Sequence, residues 1–514
     1  MDQFIIGELA SINARRCPDK LATVFGDKKT TWLDFDRSTN MLANMLLGSS
    51  FKRGDRLAIL SKNSADYLEW YFGCAKAGII AVPINYRLAE QEMVNLLSHA
   101  DPKGIILGQD YIEAGGRIRE KVKLPYFMAD ESGGKDWLFD YSKEKQIHGK
   151  GQPNIEVNEN DIFCIMYTSG TTGLPKGAMS THRNYVFNCL SVIHAQGITP
   201  QDINLIAPPL YHAGALFHSL SYMMLGCTQV VLKQFESKET LSAIQEHRIT
   251  SCLMIPTMLN FLLNDPDINK SDMSTLKKIF YGGGPMPIAL LEKAMALLND
   301  VEFTQGYGLT ETLEATFLLP EDHVISENPK VRQRLRSAGR ETLLYEVRIV
   351  DLDNNEVPIN KSGEIWLNGP SVIKGFWGDR EQSSNSIRKG WFKTGDIGTL
   401  DEGRYLYILD REKDMIISGG ENIYTKEVED ALHTHPAVLE AAVIGVPDPE
   451  WGENVKAVVV LKNGTNATQE ELISFCKERL ARYKRPKSIE FVYELPKNPS
   501  GKILKRELRE RFKK

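Results

Sequence analysis

"IFCIMYTSGTTGLPKG", residues 162–177, decides how the rest of the chain is read. Its opening, "IFCIMYT", is a short apolar run, the pattern of a strand buried on both faces. Its close, "YTSGTTGLPKG", is rich in Gly, Ser and Thr and holds one Pro and one Lys. A mobile surface turn has that composition, and so does a cradle for phosphate. Phosphate needs converging N–H and O–H donors with no Cβ atoms in the way. Gly170, Gly173 and Gly177 let the backbone come close. Thr168, Ser169, Thr171 and Thr172 offer hydroxyls, successive amides can form an anion nest, and Lys176 adds positive charge. The segment is not a Walker A loop, because Lys176 lies between Pro175 and Gly177. "STHRNYVFNCLSVIHA" (180–195) comes next with helical spacing. The loop is therefore expected where a strand hands over to a helix, the place where α/β sheets bind ligands.

Upstream, "RLAIL" (56–60), "IIAVPI" (79–84) and "GIILG" (104–108) read as further buried strands. "SADYLEWYFGCAKAG" (64–78), with Ser64 as N-cap, and "LAEQEMVNLLSHA" (88–100) read as helices between them. This alternation predicts an α/β fold with parallel sheets. Residues 143–160 are polar and read as a connecting loop. Near residue 400 the texture changes. "DEGRYLYILDREKDMIISGGENIY" (401–424) suggests hairpin strands around a charged turn, and "TKEVEDALHTHP" (425–436) a helix. The chain beyond this change has the size of a small domain, so two units are expected, 1–410 and 411–514.

A chain of 514 residues, 42% hydrophobic and 25% charged, suits a soluble enzyme of several structural units. Its net charge of -5 argues against a nucleic-acid binder. Seven scattered cysteines, none in a C-x-x-C pair, read as buried free thiols in a reducing compartment. "MDQFIIGELA" does not read as a secretory signal, and apolar patches such as "GIIAVPI" (78–84) are too short to span a bilayer. A cytoplasmic enzyme, monomeric or homodimeric, is expected. Residues 481–514 carry twelve Lys or Arg against four Glu. They read as a solvated basic helix and tail, with polyanion or peripheral membrane contact as the alternative.

"YTSGTTGLPKG" resembles the signature of the adenylate-forming superfamily, which contains acyl-CoA synthetases, peptide-synthetase adenylation domains and beetle luciferases. "YGLTET" (307–312), "TGD" (394–396), "DREKDMIISGGENIY" (410–424) and "PKNPSGKILK" (496–505) agree with it in order and spacing. The resemblance runs end to end and is greatest to bacterial fatty-acyl-CoA ligases. It implies a large N-terminal domain of parallel-sheet α/β subdomains plus a small β-subdomain. A small mobile α+β C-terminal domain would come after it, turning about a hinge at Lys413. The implied reaction joins a carboxylic acid to ATP as an acyl-adenylate, releases pyrophosphate, and passes the acyl group to coenzyme A.

The resemblance also implies roles. Glu311 would help hold Mg2+ while Thr310 contacts phosphate; alone, Glu311 reads as an exposed loop acid. Gly283, Gly284 and Pro285 of "FYGGGPMP" (280–287) would lie beside adenine, although a tight turn explains them as well. Tyr307, flanked by Gly306 and Gly308, would pack on the base. Asp396 and Arg411 would recognise the ribose; by themselves they read as a turn acid and a surface ion-pair partner. Lys502 would stabilise charge developing at the α-phosphate. Gly419 and Gly420 would line the pantetheine channel after the small domain turns. Ile417 stands where some relatives carry a second Lys, so contacts copied from those relatives do not transfer.

His212, in "PPLYHAGALFHS" (208–219), stands where amino-acid-activating relatives place an Asp. The resemblance puts it beside the substrate carboxylate, gating the pocket; a structural histidine is the bland alternative. "ALFHSLSYMMLG" (215–226) and "SCLMIPTMLNFLL" (251–263) are rich in Met and Leu and suit either core or a hydrophobic tunnel. A medium- or long-chain fatty acid is the expected substrate, with aryl and crotonobetaine/carnitine acids as alternatives. A nucleotide-binding protein without catalysis would not need Lys502, Asp396 and Arg411 together.

Overall fold

A computed structural model describes residues 4–168, 176–419, 421–497 and 503–512. The four expected strands join three that were not foreseen in one seven-stranded sheet, in the spatial order Phe139–Asp140, Tyr126–Ala129, Gly104–Leu107, Arg56–Leu60, Ile80–Pro83, Ile162–Thr168, Lys176–Thr181. All neighbours are parallel except the last pair. Ser64 caps the helix Ala65–Ala77 as its sequence predicts, accepting the Tyr67 N–H, and Gly78 closes it in the left-handed conformation.

A second sheet of nine strands runs Arg340–Glu341, Leu313–Leu318, Glu302–Leu309, Lys278–Tyr281, Ser251–Met254, Ile203–Ile206, Thr228–Val231, Leu21–Phe25, Lys28–Thr31. The helices Trp32–Gly48, Ala65–Ala77, His182–Gln196 and Ala213–Met224 contribute to one buried cluster that reaches strands of both sheets. Each sheet also has a second apolar cluster of its own, with helices Glu90–Ala100 and Ile112–Lys121 on one and Ser237–Glu246, Pro256–Leu263 and Ile288–Leu297 on the other. Burial on both faces is why strands such as Ile80–Pro83 and Gly104–Leu107 are continuously apolar.

Further along the chain lies a five-stranded sheet, built from Glu346–Val350, Gly363–Asn368, Ile387–Arg388, Trp391–Leu400 and Leu406–Arg411. A last sheet holds Ile416–Ser418, Glu421–Ile423, Val438–Asp448, Gly452–Leu461 and Ser488–Phe491. Helices Thr425–His433 and Gln469–Lys477 pack on it with their own apolar cluster. All seven cysteines are free; six are buried and Cys17 is half-buried.

Two expectations need correction. The glycine-rich loop does not lead straight into a helix: Lys176–Thr181 returns antiparallel to Ile162–Thr168, and the helix starts only at His182. Thr181 and Asn184 form its capping box, so the chain can pair as a strand up to the cap itself. The stretch around "REKD" is not a hairpin either, because Leu406–Arg411 and Ile416–Ser418 belong to different sheets. The two Met- and Leu-rich segments, read as either core or tunnel, both contribute to buried core clusters. Helix Ala213–Met224 joins the cluster between the sheets, whereas helix Pro256–Leu263 joins a separate cluster.

Candidate active site

Asp396 sits in the long strand Trp391–Leu400, directly opposite Arg411 in the neighbouring strand. It is 4% exposed. Its Oδ2 accepts the Tyr307 hydroxyl at 2.9 Å, and its Oδ1 lies 3.2 Å from Arg411 Nε. Gly395, at φ 67°, makes the turn into it, and the Asp396 N–H donates to the Thr394 hydroxyl. Three motifs distant in sequence therefore meet at one carboxylate. Burial and the neighbouring Asp396 charge push the Tyr307 phenol far up, so it stays a neutral donor.

Glu311 lies in the turn between Glu302–Leu309 and Leu313–Leu318. The Thr168 hydroxyl donates to its Oε1 at 3.3 Å, joining the end of the glycine-rich strand to the "YGLTET" motif. Burial pushes the Glu311 carboxyl up; hydrogen bonds from its own backbone and Thr168, with the Arg411 and Lys176 charges, pull the other way. A half-dehydrated carboxylate beside a hydroxyl fits an Mg2+ that arrives with phosphate oxygens. Among the described residues no cluster of three or more His, Cys, Asp or Glu makes a self-sufficient metal cage.

A connection that sequence reading missed holds these parts together. The Ile373 N–H donates to the Glu311 carbonyl at 2.9 Å. Lys374, Gly375 and Trp377 then bond to Met179 and Gly177 along the outer edge of Lys176–Thr181. Phe376 packs against Ala178 and lies under Lys176, whose Nζ is 5.8 Å from the ring centre. No motif marks this strap; only its contacts do.

His212 is the N-cap residue of helix Ala213–Met224. Its ring packs on Tyr211, centroids 4.3 Å apart, and its Nε2 has no partner among the described residues. Burial and the Arg87 charge lower its pKa to about 4, so it is neutral at neutral pH. Gly306 and Gly308 are sterically required. A Cβ on Gly308 would stand 1.6 Å from the Leu313 carbonyl oxygen, and one on Gly306 would meet the Phe280 ring and the Glu314 carboxyl. Gly283, Gly284 and Pro285 form an exposed turn after Lys278–Tyr281, with Gly283 at φ 74°. Thr310 is half-buried in the turn beside Glu311.

Lys413 is exposed in the short link between the last two sheets. Asp410, just before it, accepts the Thr425 hydroxyl at 2.7 Å and the Arg411 N–H at 2.7 Å. Asp414, just after it, pairs with Arg509 at 2.8 Å. Gly419 is in the left-handed conformation, and its N–H donates to the Trp451 carbonyl, whose half-exposed ring lies over it. Ser169, Gly170, Thr171, Thr172, Gly420 and Lys502 lie outside the described residues.

Comparison with known proteins decides what such a site belongs to. The AMP-binding enzyme model matches residues 11–377, and the AMP-binding enzyme C-terminal domain matches residues 427–502. The chain belongs to the AMP-binding enzyme family. A feruloyl-CoA synthase of Amycolatopsis sp is 37% identical over 97% of each chain. A long-chain-fatty-acid–CoA ligase of Mycobacterium tuberculosis, FadD13, is 35% identical over 95% of this chain and 94% of its own. Among solved structures, the o-succinylbenzoate CoA synthetase of Bacillus subtilis, in complex with its acyl-adenylate, is 31% identical with a TM-score of 0.85, covering 99% of both chains. In this AMP-binding enzyme no described helix is long and apolar enough to cross a membrane.

Proposed function

We propose that this AMP-binding enzyme is an ATP-dependent acyl-CoA ligase acting on a carboxylic acid with a hydrophobic body. The reading rests most on one observation: Tyr307, Asp396 and Arg411, from three separate motifs, converge on one buried carboxylate. Such a fixed acceptor suits the two hydroxyls of a ribose. Thr168, Lys176 and Glu311 lie on the phosphate side of that assignment, with Glu311 and Thr168 as the residues that would hold Mg2+. When bound, the ion supplies charge neutralisation for the phosphates.

In the first half-reaction a carboxylate oxygen of the acid attacks the α-phosphorus, and the bond to pyrophosphate breaks. Lys502 donates to oxygens that gain charge in that step. In the second, the coenzyme A thiol gives up its proton, attacks the acyl carbonyl, and AMP leaves. We assign the hinge between the two steps to Lys413, where one sheet ends and the next has yet to begin. Neutral His212 is suited to sit beside the acyl group without repelling a cation or pairing with it.

A fatty acid of medium or long chain is the first candidate substrate, supported by the FadD13 likeness. An aryl acid is the second, supported by the likeness to the feruloyl-CoA synthase. The decisive experiment supplies ATP, coenzyme A and a panel of acids, and reads AMP and thioester together. ADP as the nucleotide product, or AMP formed independently of any acid, would defeat the ligase reading.

A further inference from the structure

Glu314 is a motif-adjacent carboxylate that the proposed chemistry does not use. It stands one strand over from the nucleotide motif, opposite Gly308 in the ladder, and is 8% exposed. Its carboxyl carbon lies 2.7 Å from where a Gly306 Cβ would be, and the Phe280 ring lies 2.4 Å from the same point. The missing side chain of Gly306 is thus what admits the carboxyl to this face. Its Oε2 has no partner among the described residues.

Two more unsatisfied polar atoms lie near it. Asn188 donates its amide to the Glu314 carbonyl at 3.0 Å, yet its own Oδ1 is buried and unpartnered among the described residues. His218, 2% exposed, packs against the same Phe280 ring, centroids 5.6 Å apart, with Nε2 likewise unpartnered. Buried polar atoms are nearly always paired, and three together without partners call for an explanation. Leu313, at φ 53°, holds a left-handed backbone conformation next to Glu314, the kind of strain that persists where a site over-determines it. His218 belongs to helix Ala213–Met224, whose N-cap is His212, so the cluster shares an element with the residue assigned to the acyl group.

We infer that Glu314, with Asn188 and His218 beside it, selects carboxylic acids whose body carries a hydrogen-bond donor, a hydroxyl or an amine, remote from the reacting carboxylate. The inference deepens the ligase reading and rests on it. A wholly apolar tail would leave three buried polar atoms unpaired, whereas a donor satisfies Glu314 and a hydroxyl can also accept from His218. Sites built to pair with a substrate donor reject the analogue that lacks it far more strongly than a greasy pocket rejects an added group.

The test uses matched acids on the full-length enzyme: cinnamic, para-hydroxycinnamic and para-aminocinnamic acids, and octanoic with ω-hydroxyoctanoic acid. Carboxylate-dependent AMP release should favour the donor-bearing member of at least one pair by about tenfold or more in kcat/KM. Glu314→Leu should erase or invert that ratio, and Glu314→Gln, which keeps an acceptor oxygen, should retain part of it. The hydroxy arm offers a donor that also accepts and the amino arm one that chiefly donates, both neutral at assay pH, so their order shows whether the site needs an acceptor as well. Equal rates within every pair for the native enzyme, or a ratio unchanged in Glu314→Leu, would overturn the inference. No AMP with any acid would instead overturn the ligase reading.

Discussion

The Tyr307, Asp396 and Arg411 cluster yields a prediction whose size comes from its geometry. Asp396→Asn keeps the shape of the side chain but turns one of its two acceptors into a donor. Arg411 Nε, 3.2 Å away, then faces an amide instead of a carboxylate. Because the Arg411 side chain is 36% exposed, that pair contributes about 1 kcal/mol or less. On the proposed ribose assignment the larger loss is there, where one of two hydrogen bonds to a charged acceptor would disappear, about 1.5–3 kcal/mol. Asp396→Asn should therefore raise KM for ATP by roughly tenfold to a hundredfold and leave KM for the acid nearly unchanged. Tyr307→Phe removes the donor 2.9 Å from Oδ2 and should cost about 1–2 kcal/mol in the same parameter. The two changes share one carboxylate, so the double variant should lose less than the sum. Acid-dependent pyrophosphate release at varied ATP measures all three. An unchanged ATP dependence in both single variants, or equal losses for ATP and acid, would refute the assignment.

Lys502→Ala should slow acyl-adenylate formation about a thousandfold while thioester formation from supplied acyl-adenylate survives, a split read by separate half-reaction assays. Gly308→Ala must push the Leu313 carbonyl aside and should destabilise the fold by about 1–3 kcal/mol or more, visible as a lower unfolding midpoint. Burial raises the Glu314 pKa from 4.5 to about 8, so between those values the folded chain keeps a proton that the unfolded chain has lost. Native stability should fall across that window as pH rises, and Glu314→Gln should lack that component of the fall in denaturant unfolding. Asp410→Ala frees Thr425 at the start of helix Thr425–His433 and should change the ratio of the two half-reaction rates, which an unaltered ratio would disprove.

The family's motifs were legible because each is local. A strand, a glycine where the backbone must approach closely, and one acid or cation can be read within about ten residues. The alternation of apolar strands and capped helices was legible for the same reason, as Ser64 illustrates. Harder to see was anything set by partners far away in the chain. Lys176–Thr181 is a strand only because Ile162–Thr168 and the strap around Gly375 pair with its two edges. The two Met-rich segments look alike in composition and yet join different clusters, since composition carries no record of which side of a sheet a helix covers.

Glu314 makes the division plainest. In sequence it is one acid in "TLEATFLL", after a Leu and before an Ala, with nothing to separate it from a solvated strand residue. Its burial against Gly306 and Phe280 comes from strand register and from helices packed above, contacts made by residues more than a hundred positions apart in the case of Asn188. Amino-acid order alone determined that this protein belongs to the AMP-binding enzyme family, because the motifs that mark the family are short and local. Where Glu314, Asn188 and His218 come to lie was decided only in three dimensions, where long-range packing removes water from particular polar atoms.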